Sequence, residues 1–186
     1  MSASATAAVA TPAVRALQTA LDAENAAVYG YGPVGAHLTG TMQKAAVRYW
    51  VAHQMARDTL AAMITALGAQ PVAAAAAYQL PFPVHDEQTA AALAALLEDR
   101  VAAAYLGLVA LSDARLRMFG ARALQSAALR ATSWRGQSLA FPGLEVPAAG
   151  PVPAGSAPSR PSTRPSAPAS PTAGGGSPSP TGPVGG

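Results

Sequence analysis

The 186-residue chain contains no cysteine. That absence excludes disulfides, thiolate metal sites and cysteine nucleophiles together. Charge is scarce: Asp, Glu, Lys and Arg make up 11% of the residues, with one lysine beside eleven arginines. The formal charge of +3 comes largely from Arg160 and Arg164, without which ten basic residues face nine acidic ones. A core sequence so near neutrality has no electrostatic footprint for DNA or RNA, so no nucleic-acid partner is expected. Long apolar runs are also missing. Val101 to Leu111 is too short to span a bilayer, and the run from Thr59 is broken by Gly68, Pro71, Pro81 and Pro83, so no membrane span is expected. The opening MSASATAAVATP lacks the charged start and apolar core of a secretory leader. Residues 1–10 therefore read as a short disordered lead, and a cytoplasmic location is expected. There is no Gly-x-Ser-x-Gly turn, and no histidine stands near Ser112, Ser126, Ser133 or Ser138. Hydrolysis has no nucleophile here, and the chain reads as a non-enzyme.

What the chain has is alanine. Hydrophobic residues reach 51%, and the helix propensity of the dominant alanine favours an all-α fold. From Pro147 the composition changes: 40 residues hold 11 Pro, 8 Gly and 7 Ser, with no apolar residue larger than Val152 and Val184. Such a segment cannot bury enough surface to offset its conformational entropy. The chain thus divides into a lead (1–10), a helical domain (11–144) and a disordered Pro/Ala/Gly/Ser-rich tail (145–186). The tail reads as a solvated linker, with Ala-Pro-Ser-Arg-Pro and its neighbours as a candidate ligand for a protein partner.

Within the domain, Thr11-Pro12 is a capping and first-turn pair that opens helix one, expected to run to about Leu38. Its second half holds Gly30, Gly32, Pro33 and Gly35, so a kink near Tyr29 and a close neighbouring helix are expected. Helix two is expected from Thr41 to Leu67, with Ala46, Trp50, His53, Arg57, Leu60, Ile64 and Leu67 on one stripe. Residues 69–86 read as a long loop. Asp86 caps helix three, a turn at Ser112-Asp113 follows, and helix four ends near Trp134 and Gly136. Hairpin, long crossover, hairpin is the one-crossover topology of a ferritin-like four-helix bundle.

One residue breaks the pattern. Val14, Leu17, Leu21, Glu24, Val28 and Tyr31 share one stripe of helix one, and a carboxylate inside a core stripe must be paired, protonated or bound to a metal. The run Ala23 to Gly32, His53 with Arg57-Asp58, the crossover Ala77 to Val84, Glu98, Tyr105, Trp134-Arg135 and Phe141-Pro142-Gly143 resemble a group of uncharacterised bacterial ferritin-like proteins that carry a domain of unknown function. The resemblance covers about Thr11 to Leu144 and implies a fold, with no activity to carry over.

A ferritin-like di-iron site needs one Glu from each of two helices and a Glu-x-x-His pair from each of the other two. Glu24, His53 and Glu98 could supply three of six ligands. The residue three before His53 is Trp50, and helix four, from Arg115 to Trp134, has no Asp, Glu or His. A two-metal oxidase is therefore not expected. Two readings remain: a single divalent ion on Glu24, His53 and Glu98, or a buried polar network in which Arg57, Arg122 and Arg130 offer guanidinium partners. The second is favoured, with no cofactor expected and a non-catalytic binding or structural role. His37 and His85 read as polar residues near helix ends, and the tyrosines as core or as a pocket lining. The scarcity of charge also predicts a homodimer through helices one and two.

Overall fold

A computed structural model describes residues 11–136. The expected lead (1–10), the expected domain end at Leu144 and the tail (145–186) lie outside these residues. The chain divides into two units, 1–148 and 149–186, and all described structure belongs to the first.

The described residues form four helices and no strand: α1 (Pro12–Ala36), α2 (Gly40–Ala66), α3 (Glu87–Val109) and α4 (Ala114–Arg135). Each begins or ends for a local reason. Thr11 Oγ1 accepts from the amide of Val14, and Pro12 fixes the first turn. α1 stops two residues before its expected end, where the amide of His37 turns back to the carbonyl of Val34. Asp86 and Thr89 form a reciprocal capping box at the start of α3. Asp113 accepts from the amides of Arg115 and Leu116 at the start of α4. α4 closes on Gly136, whose φ of 77° is the left-handed conformation that glycine adopts without a Cβ clash. No helix among the described residues is long and apolar enough to cross a membrane.

Cross-helix contacts fix the directions. Gln43, Trp50 and His53 of α2 meet Gly35, Val28 and Glu24 of α1, so the two run antiparallel. Leu97, Glu98 and Tyr105 of α3 meet Gly30, Tyr31 and Glu24, which makes α3 antiparallel to α1 and parallel to α2. Two parallel helices need a long connection, and residues 67–86 provide it. Gln18 binds its start at Gln70 and Val72, Tyr29 stacks on Tyr78, and Leu80, Phe82 and Val84 pack near the end of α1. α4 returns along α3, where a Cβ on Gly120 would lie 2.6 Å from Leu108 Cβ.

The core has two apolar clusters. One joins Leu17, Leu21, Leu60, Ile64, Val101 and Leu108. The other joins Tyr31, Val34, Leu38, Ala46, Leu93 and Leu97. Glu24, His53 and Glu98 lie between them, each about 1% exposed or less. Two expectations need correction. On α2 only Ala46, His53, Leu60 and Ile64 are buried, while Trp50 and Leu67 are exposed, because the buried stripe is narrower than the sequence pattern. Of the three α1 glycines, Gly30 alone faces a close neighbour, Leu97, and Gly32 and Gly35 face open space.

Candidate functional site

Glu24 on α1, His53 on α2 and Glu98 on α3 come together in the interior. His53 lies between the carboxylates. Its Nδ1 is 2.6 Å from Glu24 Oε2 and its Nε2 3.1 Å from Glu98 Oε1. An imidazole held between two carboxylates can donate to both when it carries a proton on each nitrogen. Burial, the largest influence on His53, pulls its pKa down. The hydrogen bonds and charges of Glu24 and Glu98 together outweigh it and leave the pKa raised.

Four further groups complete the network. Tyr105 donates to Glu24 Oε1 at 2.8 Å and Tyr31 to Glu98 Oε1 at 2.6 Å. Arg130 of α4 donates from Nε to Glu98 Oε1 at 2.8 Å, and Trp134 donates to the Tyr31 hydroxyl at 2.9 Å. Burial, reinforced by the adjacent carboxylate, pushes both tyrosine pKa values well above the usual range, so the phenols stay protonated donors. With His53 protonated, the two carboxylates face two cations, the imidazolium and the Arg130 guanidinium, a pairing that offsets the cost of burying charge. Glu98 Oε1 accepts three bonds, and Glu98 Oε2 is buried without a partner.

The other arginines named from sequence lie elsewhere. Arg57 pairs with the adjacent Asp58, and Arg122 is exposed. His37 binds the carbonyl of Pro33 through Nδ1, and His85 stands exposed beside Asp86. The sequence reading placed Tyr31 and Tyr105 in the core or a pocket and Trp134 at the end of helix four, and gave none of them a part in the network. A signal for the tyrosines existed: each follows a buried glutamate by seven residues, Glu24 to Tyr31 and Glu98 to Tyr105. Seven residues are about two helical turns. In antiparallel helices this spacing sets each hydroxyl level with the carboxylate on the opposite helix.

The arrangement does not fit a metal centre well. A histidine ligates through a ring lone pair, and both His53 nitrogens are turned to carboxylates. Arg130, a fixed cation, already occupies Glu98. Among the described residues no group of three or more His, Asp or Glu side chains is arranged to hold a metal ion.

The family model described as a domain of unknown function (DUF4439) matches residues 16–146. A solved structure from Mycobacterium tuberculosis, described as a conserved hypothetical protein, is 33% identical, with a TM-score of 0.66 over 69% of this chain and 98% of that one. No curated protein matches.

Proposed function

The chain belongs to the DUF4439 family, a domain of unknown function, and we propose that it is a non-catalytic, ferritin-like structural or binding module whose buried charges hold the bundle together. One observation carries this reading. His53 is shared between Glu24 and Glu98, with both ring nitrogens engaged, and Arg130 balances the remaining charge. The exposed α1–α2 face, where Tyr29, Val47, Val51 and Met55 are open, is the surface for a second copy. Sedimentation at tens of micromolar checks this, and a monomer alone would remove it.

The second reading is a single divalent ion on Glu24, His53 and Glu98. It is favoured by the buried, unpartnered Glu98 Oε2, an oxygen free to ligate. Binding would require His53 to lose a proton and leave one carboxylate.

Glu24→Gln separates the two. In the network reading it destabilises by roughly 1 to 3 kcal/mol, since His53 and Tyr105 lose a charged acceptor. Added ferrous, manganous or zinc ion then leaves the melting temperature of both proteins unchanged. A stoichiometric metal in tag-free wild type, absent from the Glu24→Gln and His53→Gln variants, would establish the second reading instead.

A further inference from the structure

α1 packs on α2 and on α3, and α3 packs on α4, but α2 and α4 do not close on each other along their length. They meet through Tyr49, whose ring has Trp134 edge-on at 5.8 Å and the Arg130 guanidinium at 5.7 Å. The seam between them opens into a groove at each end. Near the α2 N-terminus a groove of about 220 Å³ has Met42, Ala45 and Tyr49 of α2 facing Ser133 and Trp134 of α4. Near the α2 C-terminus one of about 270 Å³ has Met63, Ala66 and Leu67 facing Arg115 and Leu116. Between the grooves Ala52 and Ala56 are half-buried and keep helical spacing with Tyr49 and Met63, so both grooves lie on one side of α2.

We propose that this seam docks an acidic, amphipathic helix of a partner protein. The acidity follows from charge complementarity. α4 contains five arginines and no acidic residue. Arg115 borders the groove at the α2 C-terminus, and Arg122 follows it by seven residues on the same side of α4. Arg48 bonds the Tyr49 hydroxyl beside the other groove. All three arginines are exposed, and among the described residues none of them forms a salt bridge. Asp113, the acid at this end, is held by the amides of Arg115 and Leu116. The helix follows from spacing. Tyr49 and Met63 are 14 residues apart, roughly 21 Å or four turns. A partner helix lying along α2 repeats its own face over the same rise, so apolar side chains reach both grooves while flanking carboxylates meet the arginines. An open seam covers one face of its ligand, and an amphipathic helix has one apolar face. The proposal names a partner class for the binding role above, on a surface separate from the α1–α2 face.

The probe is a labelled synthetic helix of about 18 residues, roughly 27 Å long, with leucine on one face and glutamate on both flanks. It is added to the full chain and followed by fluorescence anisotropy. It should bind, and more weakly as salt is raised. The same peptide with lysine for glutamate should bind at least about tenfold more weakly. Arg122→Glu and Ala66→Glu, both at exposed positions, should each weaken the glutamate peptide about tenfold, with circular dichroism and melting like wild type. Arg100→Glu, the same charge change at an exposed site on α3, should leave binding unchanged. No binding up to about 100 μM, equal binding of the lysine peptide, or an equal loss in Arg100→Glu would overturn the proposal. So would phosphatidylglycerol vesicles that bind the chain when the peptide does not, which would assign the seam to a lipid surface. Glu24 and His53 stay intact throughout, so a failure here is read apart from a failure of the buried network.

Discussion

Tyr31 and Tyr105 bind opposite carboxylates through the same hydroxyl chemistry, yet their removal should differ in cost. Tyr105 is the donor to Glu24 Oε1, while Tyr31 shares Glu98 Oε1 with His53 and Arg130. Tyr105→Phe therefore leaves a buried charged oxygen unpartnered and should cost about 2 to 3 kcal/mol, against about 1 kcal/mol for Tyr31→Phe, read from urea unfolding midpoints. Alkaline pH probes the same site. A raised His53 pKa contributes stability that is fully present below the ordinary 6.5 and is lost as pH rises through the folded-state value. Unfolding free energy should thus decline above about pH 6.5, a decline that His53→Gln should largely remove. The raised tyrosines add a second loss in the same direction above their ordinary 10. Glu24 was legible because a single carboxylate interrupted an apolar stripe. Arg130 was not separable from Arg57 and Arg122, since the choice depends on where α4 lies along α3, and α4 has few buried side chains to mark its inward face.

At the scale of the helix, α3 and α4 approach so closely that Gly120 has Leu108 Cβ, Tyr105 O and Val109 N within 3.3 Å of where its own Cβ would stand. Two of those atoms are backbone and cannot rotate away. Gly120→Ala should destabilise by about 1 to 3 kcal/mol, despite the gain in helix propensity. Gly35→Ala meets nothing within 4 Å and should stabilise by about 0.5 to 1 kcal/mol. Thermal unfolding of the pair isolates the contact from propensity. The helix ends were readable because Thr11-Pro12, Asp86, Asp113 and Gly136 carry their capping chemistry in their identities. The inner face of α2 was harder to read. Trp50 has the right spacing for the core but lies at the surface, with its indole donating to the carbonyl of Val28.

Across the whole molecule, the order of elements was legible from loop lengths: three residues join α1 to α2, four join α3 to α4, and twenty join the two pairs. What packs against what depended on side chains far apart in sequence, as with Trp134 and Tyr31. The buried charges have a further consequence for assembly. Glu24 and His53 belong to the first pair of helices, Glu98 and Arg130 to the second, so each half brings its own anion and its own cation. Neither half needs the other to neutralise a bare ion. What they exchange on meeting is hydrogen bonds: Tyr105 to Glu24, Tyr31 and His53 to Glu98, and Trp134 to Tyr31. Fragments 1–75 and 76–186, made separately and mixed, should therefore recover the near-ultraviolet dichroism of the intact chain, while Glu98→Gln in the second fragment should weaken their association at least tenfold. If the mixed fragments give no such signal, the connecting strap does more than tether. If they do, the molecule is a complex of two self-neutralised partners that share one chain.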